Sequence, residues 1–134
     1  MLIVDSSAIV AMMFGEPEAD SLATRMGDAS ARLLSAANYV ETGTVLAGRV
    51  AENNRDNALA DLDAFLTAFD IKMVEVTPEQ AITAVRARIR YGKGFGAAAG
   101  LNYGDTFAYA LAKAHNAPLL FIRDDFTKTD VGIA

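Results

Sequence analysis

Short, continuous apolar runs alternate along this chain with longer segments in which apolar residues recur at helical spacing. Runs of this kind are typical of strands that are buried on both faces of a sheet. Because such strands alternate with helical segments from end to end, the pattern predicts a three-layer α/β/α fold, in which helices flank a mostly parallel central sheet. The predicted strands are 1–4, 31–34, 119–122 and a last short strand at 131–133, together with 71–76, in which polar and apolar residues alternate.

The predicted helices lie between these strands, and several begin with recognisable residues. Thr77 and Pro78 are typical of a cap and of a first helical position, and Ser35 is expected to cap a long helix. Ser6 or Ser7 is expected to cap the first helix, directly after the first strand. The predicted helices are one from that cap, one from Pro17 to about Gly27, and those at about 35–50, 53–69, 77–91 and 101–113.

Two of these helices carry an acid in apolar surroundings. The helix at 101–113 is apolar almost all the way round, so we expect it to be covered on both sides. Asp105 lies in its first turn, where a helix favours negative charge. On the helix at 35–50, Glu41 is the only charge on a face that is expected to point to the core, which is costly unless the carboxylate is paired. That face consists of Ala37, Val40, Glu41, Thr44, Val45 and Gly48.

Size and composition limit the kinds of chemistry that are available. A chain of 134 residues with 52% apolar content suits one domain, residues 1–134. It has no cysteine and one histidine, so a metal would be held by oxygen ligands, which favours Mg²⁺ or Mn²⁺. The apolar N-terminal run at 1–14 is too short to span a membrane and lacks the basic start of a signal peptide. We therefore expect a cytoplasmic protein without a membrane partner.

Charge is distributed unevenly along the chain. The net charge is −5, which by itself argues against a nucleic-acid partner. Residues 86–134, however, hold 7 basic and 4 acidic side chains. A locally positive surface in the C-terminal third is therefore compatible with the acidic total.

Acidic residues occur where ligand sites form in parallel α/β sheets. Asp5 and the pair Asp124 and Asp125 follow predicted strands, Asp105 opens a helix, and Glu41 projects from a helix face. Strand ends of this kind meet at one edge of the sheet, where several carboxylates repel one another unless a cation joins them. Such a site suits metal-assisted hydrolysis of a phosphoester. Each acid also has a purely structural explanation, as a helix cap or a salt-bridge partner.

Four motifs together resemble a known family. They are VDSSA at 4–8, YVET at 39–42, LNYGDTFAYALAK at 101–113 and LLFIRDDFTKTDV at 119–131. In this order they resemble the PIN domain, and more narrowly the VapC toxins of bacterial toxin–antitoxin pairs. The resemblance covers essentially the whole chain.

This resemblance implies a Mg²⁺- or Mn²⁺-dependent endoribonuclease that cleaves RNA, is silenced by a VapB-like antitoxin and forms a homodimer. Asp5, Glu41 and Asp105 match the three core acids of the family, which hold the metal and activate water. Either Asp124 or Asp125 matches the fourth acid, and we slightly favour Asp125. The expected catalytic and metal-binding residues are therefore these five.

Two other functions compete with this interpretation. An Asp after the first strand also occurs in Mg²⁺-dependent phosphatases and phosphotransfer domains, but Ser6 and Ser7 fit their motifs poorly. In a non-catalytic binding module, the acids would only cap helices or form salt bridges. The glycine-rich segment 92–100 lacks the residue order of a P-loop.

Overall fold

The computed structural model describes residues 1–123 and 125–134, so Asp124 lies outside the described residues. Within them, four strands form one sheet in which every pairing is parallel. The strands are β1 (Leu2–Val4), β2 (Arg32–Ser35), β3 (Ile71–Val74) and β4 (Leu119–Leu120). Their order across the sheet is β3-β2-β1-β4.

All six helices lie between the first and the last strand of the chain, where they connect the strands as the alternation predicts. A short 3₁₀ turn, Glu52–Asn54, precedes the fourth helix, which is therefore shorter than the predicted 53–69. The helices are α1 (Ser6–Met13), α2 (Ala19–Gly27), α3 (Ala36–Gly48), α4 (Arg55–Ala68), α5 (Pro78–Tyr91) and α6 (Tyr103–His115).

Side chains of β1 show why the sheet is covered on both faces. Leu2 and Val4 belong to one apolar cluster, which includes residues of α1, α2, α3 and α4. Ile3 points the other way, into a second cluster with residues of α5 and α6. Since both faces are buried at β1 and β4, these two strands are apolar without alternation, whereas the edge strand β3 includes the exposed residues Lys72 and Met73. The predicted three-layer α/β/α fold with a parallel sheet is confirmed.

The helix starts agree with the predicted caps in part. Thr77 accepts a hydrogen bond from the backbone N–H of Gln80 at 3.1 Å, as its position predicts. The prediction that Ser6 or Ser7 caps α1 is wrong. Asp5 is the cap, since its extended backbone precedes the first helical residue and its Oδ2 accepts from the Ser7 N–H at 3.0 Å.

The core-facing side of α3 also differs from the prediction. Val40 is 65% exposed, whereas Asn38 and Thr42 are fully buried. Hydrogen bonds offset part of the cost of burying these polar side chains, since the Thr42 hydroxyl donates to the Asn38 backbone carbonyl at 2.7 Å and the Asn38 amide N–H donates to the Gly104 backbone carbonyl at 2.9 Å. The Oδ1 atom of Asn38 is buried without a partner. The spacing of apolar residues along the sequence does not show which polar side chains will find hydrogen-bond partners.

The last predicted strand, 131–133, does not form. Only an isolated bridge joins Ile133 to Leu119 at the edge of the sheet. Ile133 is 58% exposed, so this end gains little from burial. The central position of α6 is confirmed by its buried segment 108–112.

Candidate functional site

A cavity of about 540 Å³ opens at the carboxyl ends of β1 and β4. The strand order places β2 on one side of β1 and β4 on the other, and ligands of open α/β sheets bind where the order reverses in this way. The cavity is therefore in the position that the acidic strand ends predicted. Its lining residues are Asp5, Ser6, Ser7, Val10, Ala11, Glu16, Glu41, Val45, Arg49, Asn102, Asp105, Ile122 and Arg123.

Asp5 contributes a buried carboxylate in which only one of the two oxygens has a hydrogen-bond partner. Its Oδ2 caps α1, while its Oδ1 is buried with no hydrogen-bond partner. Burial raises the pKa of Asp5 to about 6, and the charge of Glu41 adds to the increase. The hydrogen bonds from Ser7 and the charge of Arg123 oppose it. An unpartnered, buried carboxylate oxygen of this kind is stabilised by a proton, a cation or a water molecule.

Asp105 also lines the cavity and is held there by reciprocal hydrogen bonds with Asn102. The Asn102 backbone N–H donates to Oδ2 of Asp105, and the Asp105 N–H donates to Oδ1 of Asn102, both at 3.0 Å. Burial raises the pKa of Asp105 to about 7, and the charges of Asp5, Asp125 and Glu41 raise it further, against the backbone hydrogen bond from Asn102. Asp105 is therefore close enough to Asp5, Glu41 and Asp125 for their negative charges to repel its own at this edge of the sheet.

Glu41 reaches the cavity through a close approach of α3 to α6. The Asn38 amide bridges the two helices, because it donates to Glu41 Oε1 at 3.3 Å and to the Gly104 carbonyl at 2.9 Å. A Cβ atom on Gly104 would lie 1.8 Å from Glu41 Oε2, so no larger residue fits there without moving the carboxylate. Glu41 is only partly buried and makes no ion pair in the described part of the chain. The salt-bridge explanation for it is therefore not supported.

Two further acids, Asp125 and Asp130, do not line the cavity. Asp125 is partly buried, and its charge is one of those that raise the pKa of Asp105. Asp124 cannot be compared with it, since it is outside the described residues. Asp130 accepts hydrogen bonds from the Tyr109 hydroxyl and from Lys113, and so it joins the C-terminal loop to α6.

Several residues in or beside the cavity were not predicted from the sequence. Asn38 precedes Glu41 by three positions on a helix, a spacing that could have indicated the contact. Arg123 directly precedes the acidic pair at 124–125 and could have been considered with it. Arg49 follows Val45 by four positions at the end of α3, and Glu16 lies just after α1, which also contributes Ala11 to the cavity. Neither of these two charged residues was predicted to belong to the site.

The donor atoms in this cavity fit a hard divalent cation. Asp5, Glu41 and Asp105 offer carboxylate oxygens, and one of these oxygens is buried without a partner. Among the described residues, no three acidic or histidine side chains form a complete cluster of metal ligands. Mg²⁺ usually keeps several waters and binds through one or two carboxylates. The residues present therefore fit a partly hydrated Mg²⁺ or Mn²⁺ ion.

Comparisons with known proteins agree with this architecture. The family model of the PIN domain matches residues 2–131. The chain is 42% identical over 130 residues to "Ribonuclease VapC" of Mycolicibacterium smegmatis, an alignment that covers 97% of each protein. Among solved structures, it resembles the sarcin-ricin loop cleaving toxin VapC20 of Mycobacterium tuberculosis, with a TM-score of 0.74, 15% identity, and coverage of 100% of this chain and 98% of that one. A toxin–antitoxin complex from Klebsiella pneumoniae gives a TM-score of 0.71 at 13% identity, covering 100% and 97%.

No helix within residues 1–123 and 125–134 combines the length and the apolar character needed to cross a membrane.

Proposed function

Since the chain belongs to the PIN-domain family, we propose that it is a metal-dependent endoribonuclease that hydrolyses RNA phosphodiester bonds. We further propose that it acts in the cytoplasm as the toxin of a toxin–antitoxin pair, as a homodimer, and is neutralised by a VapB-like antitoxin. The ribonuclease name of its relative and the complex that its fold resembles support this assignment. They also favour it over the phosphatase, phosphotransfer and binding-module alternatives.

The observation that carries the proposal is the unpartnered Oδ1 of Asp5 in a cavity shared with Asp105 and Glu41. We propose that these three acids hold Mg²⁺ or Mn²⁺. Asp125 or Asp124 would complete the acidic set. When bound, such an ion polarises a phosphate and lowers the pKa of a coordinated water.

The chain's own residues orient these carboxylates before substrate arrives. Asp5 and Asp105 each use Oδ2 to satisfy the start of a helix, which restricts their side-chain rotation. The Asn38 amide restricts Glu41 in the same way. Because each carboxylate is held by a neighbouring hydrogen bond, little reorganisation is needed when the charge of an RNA phosphate arrives.

The direct test is cleavage of a long structured RNA by purified protein with Mg²⁺ or Mn²⁺. We expect cuts that disappear with EDTA and that decrease at least about 100-fold in Asp105→Asn, because a carboxylate beside the metal is removed. Asn at this position keeps an oxygen for the helix cap, so the fold should survive. Equal cutting by the variant would indicate a contaminating nuclease and reject the assignment.

Gly104→Ala tests whether the position of Glu41 matters. The new methyl group would displace the Glu41 carboxylate, which is the flexible end of a side chain, so the helix should form normally. We expect cleavage to fall about 10-fold, while the urea midpoint changes little. Gly27→Ala is the matched control, since a Cβ at Gly27 meets no atom within 4 Å. Full activity in Gly104→Ala would show that Glu41 does not need this placement.

A further inference from the structure

Arg123 occupies an unfavourable backbone conformation at the edge of the carboxylate cavity. Its φ is 76°, in the left-handed region that residues other than glycine, asparagine and aspartate rarely adopt. The chain just before it is fixed, because the Ile122 N–H donates to the Ser7 hydroxyl at 3.1 Å. A strained residue beside a functional cavity is a reason to look for a function of its side chain.

The charges that line the cavity point to that function. They come from the acids Asp5, Glu16, Glu41 and Asp105 and from the cations Arg49 and Arg123. An RNA phosphate that approaches these acids is repelled unless a positive group receives it.

The two arginines differ in whether their guanidinium groups already contact another side chain. The Arg49 guanidinium stacks on the ring of Phe14, 4.7 Å from its centroid. Arg123 is exposed, and within residues 1–123 and 125–134 its guanidinium forms no hydrogen bond or ion pair. Its positive charge nevertheless interacts with Asp5, where it opposes part of the increase in the pKa of the carboxyl group. Arg123 therefore has donors available beside a candidate metal-binding carboxylate.

We propose that Arg123 binds a phosphate of the RNA substrate beside the bond that is cut, and that its left-handed backbone is retained because it places the guanidinium there. A guanidinium presents paired N–H donors that match two phosphate oxygens. This proposal rests on the ribonuclease function proposed above. It adds a substrate-binding residue to the carboxylates that act on the metal.

The test uses replacements that suit the backbone. Asparagine and glycine both adopt positive φ readily, so Arg123→Asn and Arg123→Gly remove the guanidinium without adding strain. We expect both variants to unfold at the same or a higher urea concentration than the original protein. With Mg²⁺ and a long structured RNA transcript, we expect KM to rise about 10-fold and kcat to change much less, as for a lost binding contact.

Arg86→Gln is the matched control for the loss of one positive charge. Arg86 is exposed on α5 and lies outside the carboxylate cavity. We expect its KM and kcat to equal those of the original protein.

Binding is measured separately from cleavage, with Asp105→Asn as the background so that the RNA stays intact. Fluorescence anisotropy of the labelled transcript gives the affinity at several salt concentrations. Loss of one phosphate contact should reduce the slope of log K against log salt by about 0.7 to 0.9. We expect that reduction on adding Arg123→Asn and no change on adding Arg86→Gln.

The outcomes separate this proposal from the function on which it rests. If the original protein neither cuts nor binds the transcript, the ribonuclease function fails and the role of Arg123 fails with it. If the original protein cuts, and Arg123→Asn matches it in KM and in salt slope, only the role of Arg123 is overturned. A lower kcat with an unchanged KM and slope would also overturn it, because phosphate binding would then be intact.

Discussion

Asp5→Asn is expected to abolish RNA cleavage and, in the absence of metal, to stabilise the fold. Asparagine is a good helix cap, so the hydrogen bond from the Ser7 N–H can be kept. The substitution removes a buried carboxyl group whose pKa is raised to about 6. Since one pKa unit corresponds to about 1.4 kcal/mol, we expect a gain of about 2 kcal/mol in the free energy of unfolding above pH 7. Cleavage should fall at least about 100-fold.

Two measurements check this result. Urea unfolding in EDTA gives the stability, and the transcript assay with Mg²⁺ gives the activity. Mn²⁺ should raise the urea midpoint of the original protein, and this rise should disappear in Asp5→Asn. The exposed residue Asp56 supplies the control, because Asp56→Asn removes a charge that does not line the cavity. A less stable Asp5→Asn that still responds to Mn²⁺ would contradict a metal site at Asp5.

The metal-free protein is expected to lose stability as the pH rises from about 4 to about 7. The pKa values of Asp5 and Asp105 rise from 3.8 to about 6 and about 7 in the fold. Between these values the folded chain binds more protons than the unfolded chain, so the free energy of unfolding decreases with pH. We expect a loss of about 2–4 kcal/mol between pH 5 and pH 8, allowing for the interaction between the two groups.

Urea titrations at a series of pH values, in EDTA, measure this dependence. Asp105→Asn should flatten it, since the acid with the larger shift is removed. Mg²⁺ should restore part of the lost stability at pH 8, because it binds the ionised carboxylates of the folded chain. A stability that increases with pH in EDTA would show that these carboxylates are not destabilising in the fold.

The amino-acid order was sufficient for the architecture and for the main acids of the candidate site. Apolar runs such as 1–4 and 119–122 must be covered on both faces, which leads to a parallel sheet between helices. Asp5 follows such a run and Asp105 opens an apolar helix, so both could be placed at the sheet edge from local pattern alone. These predictions rest on interactions between residues that are close in sequence.

The fold revealed that helix capping and the candidate site use the same side chains. Capping and chemistry were considered as competing explanations for Asp5 and Asp105. In the structure, one oxygen of each carboxylate caps a helix, and both side chains line the cavity. A local pattern does not show how the two oxygens of one carboxylate are divided between such partners.

Other features depended on contacts between distant parts of the chain. The buried amide of Asn38 and the missing side chain at Gly104 matter only because α3 meets α6, 66 residues later in the chain. Arg123 and Glu16 likewise reach the cavity through the packing of β4 and α1. Periodicity and capping patterns depend only on residues that are close in sequence. The contacts described here are determined by how the helices pack against one another and against the sheet. The close approach of α3 to α6, and therefore the shape and charge of the cavity, could be known only from the tertiary structure.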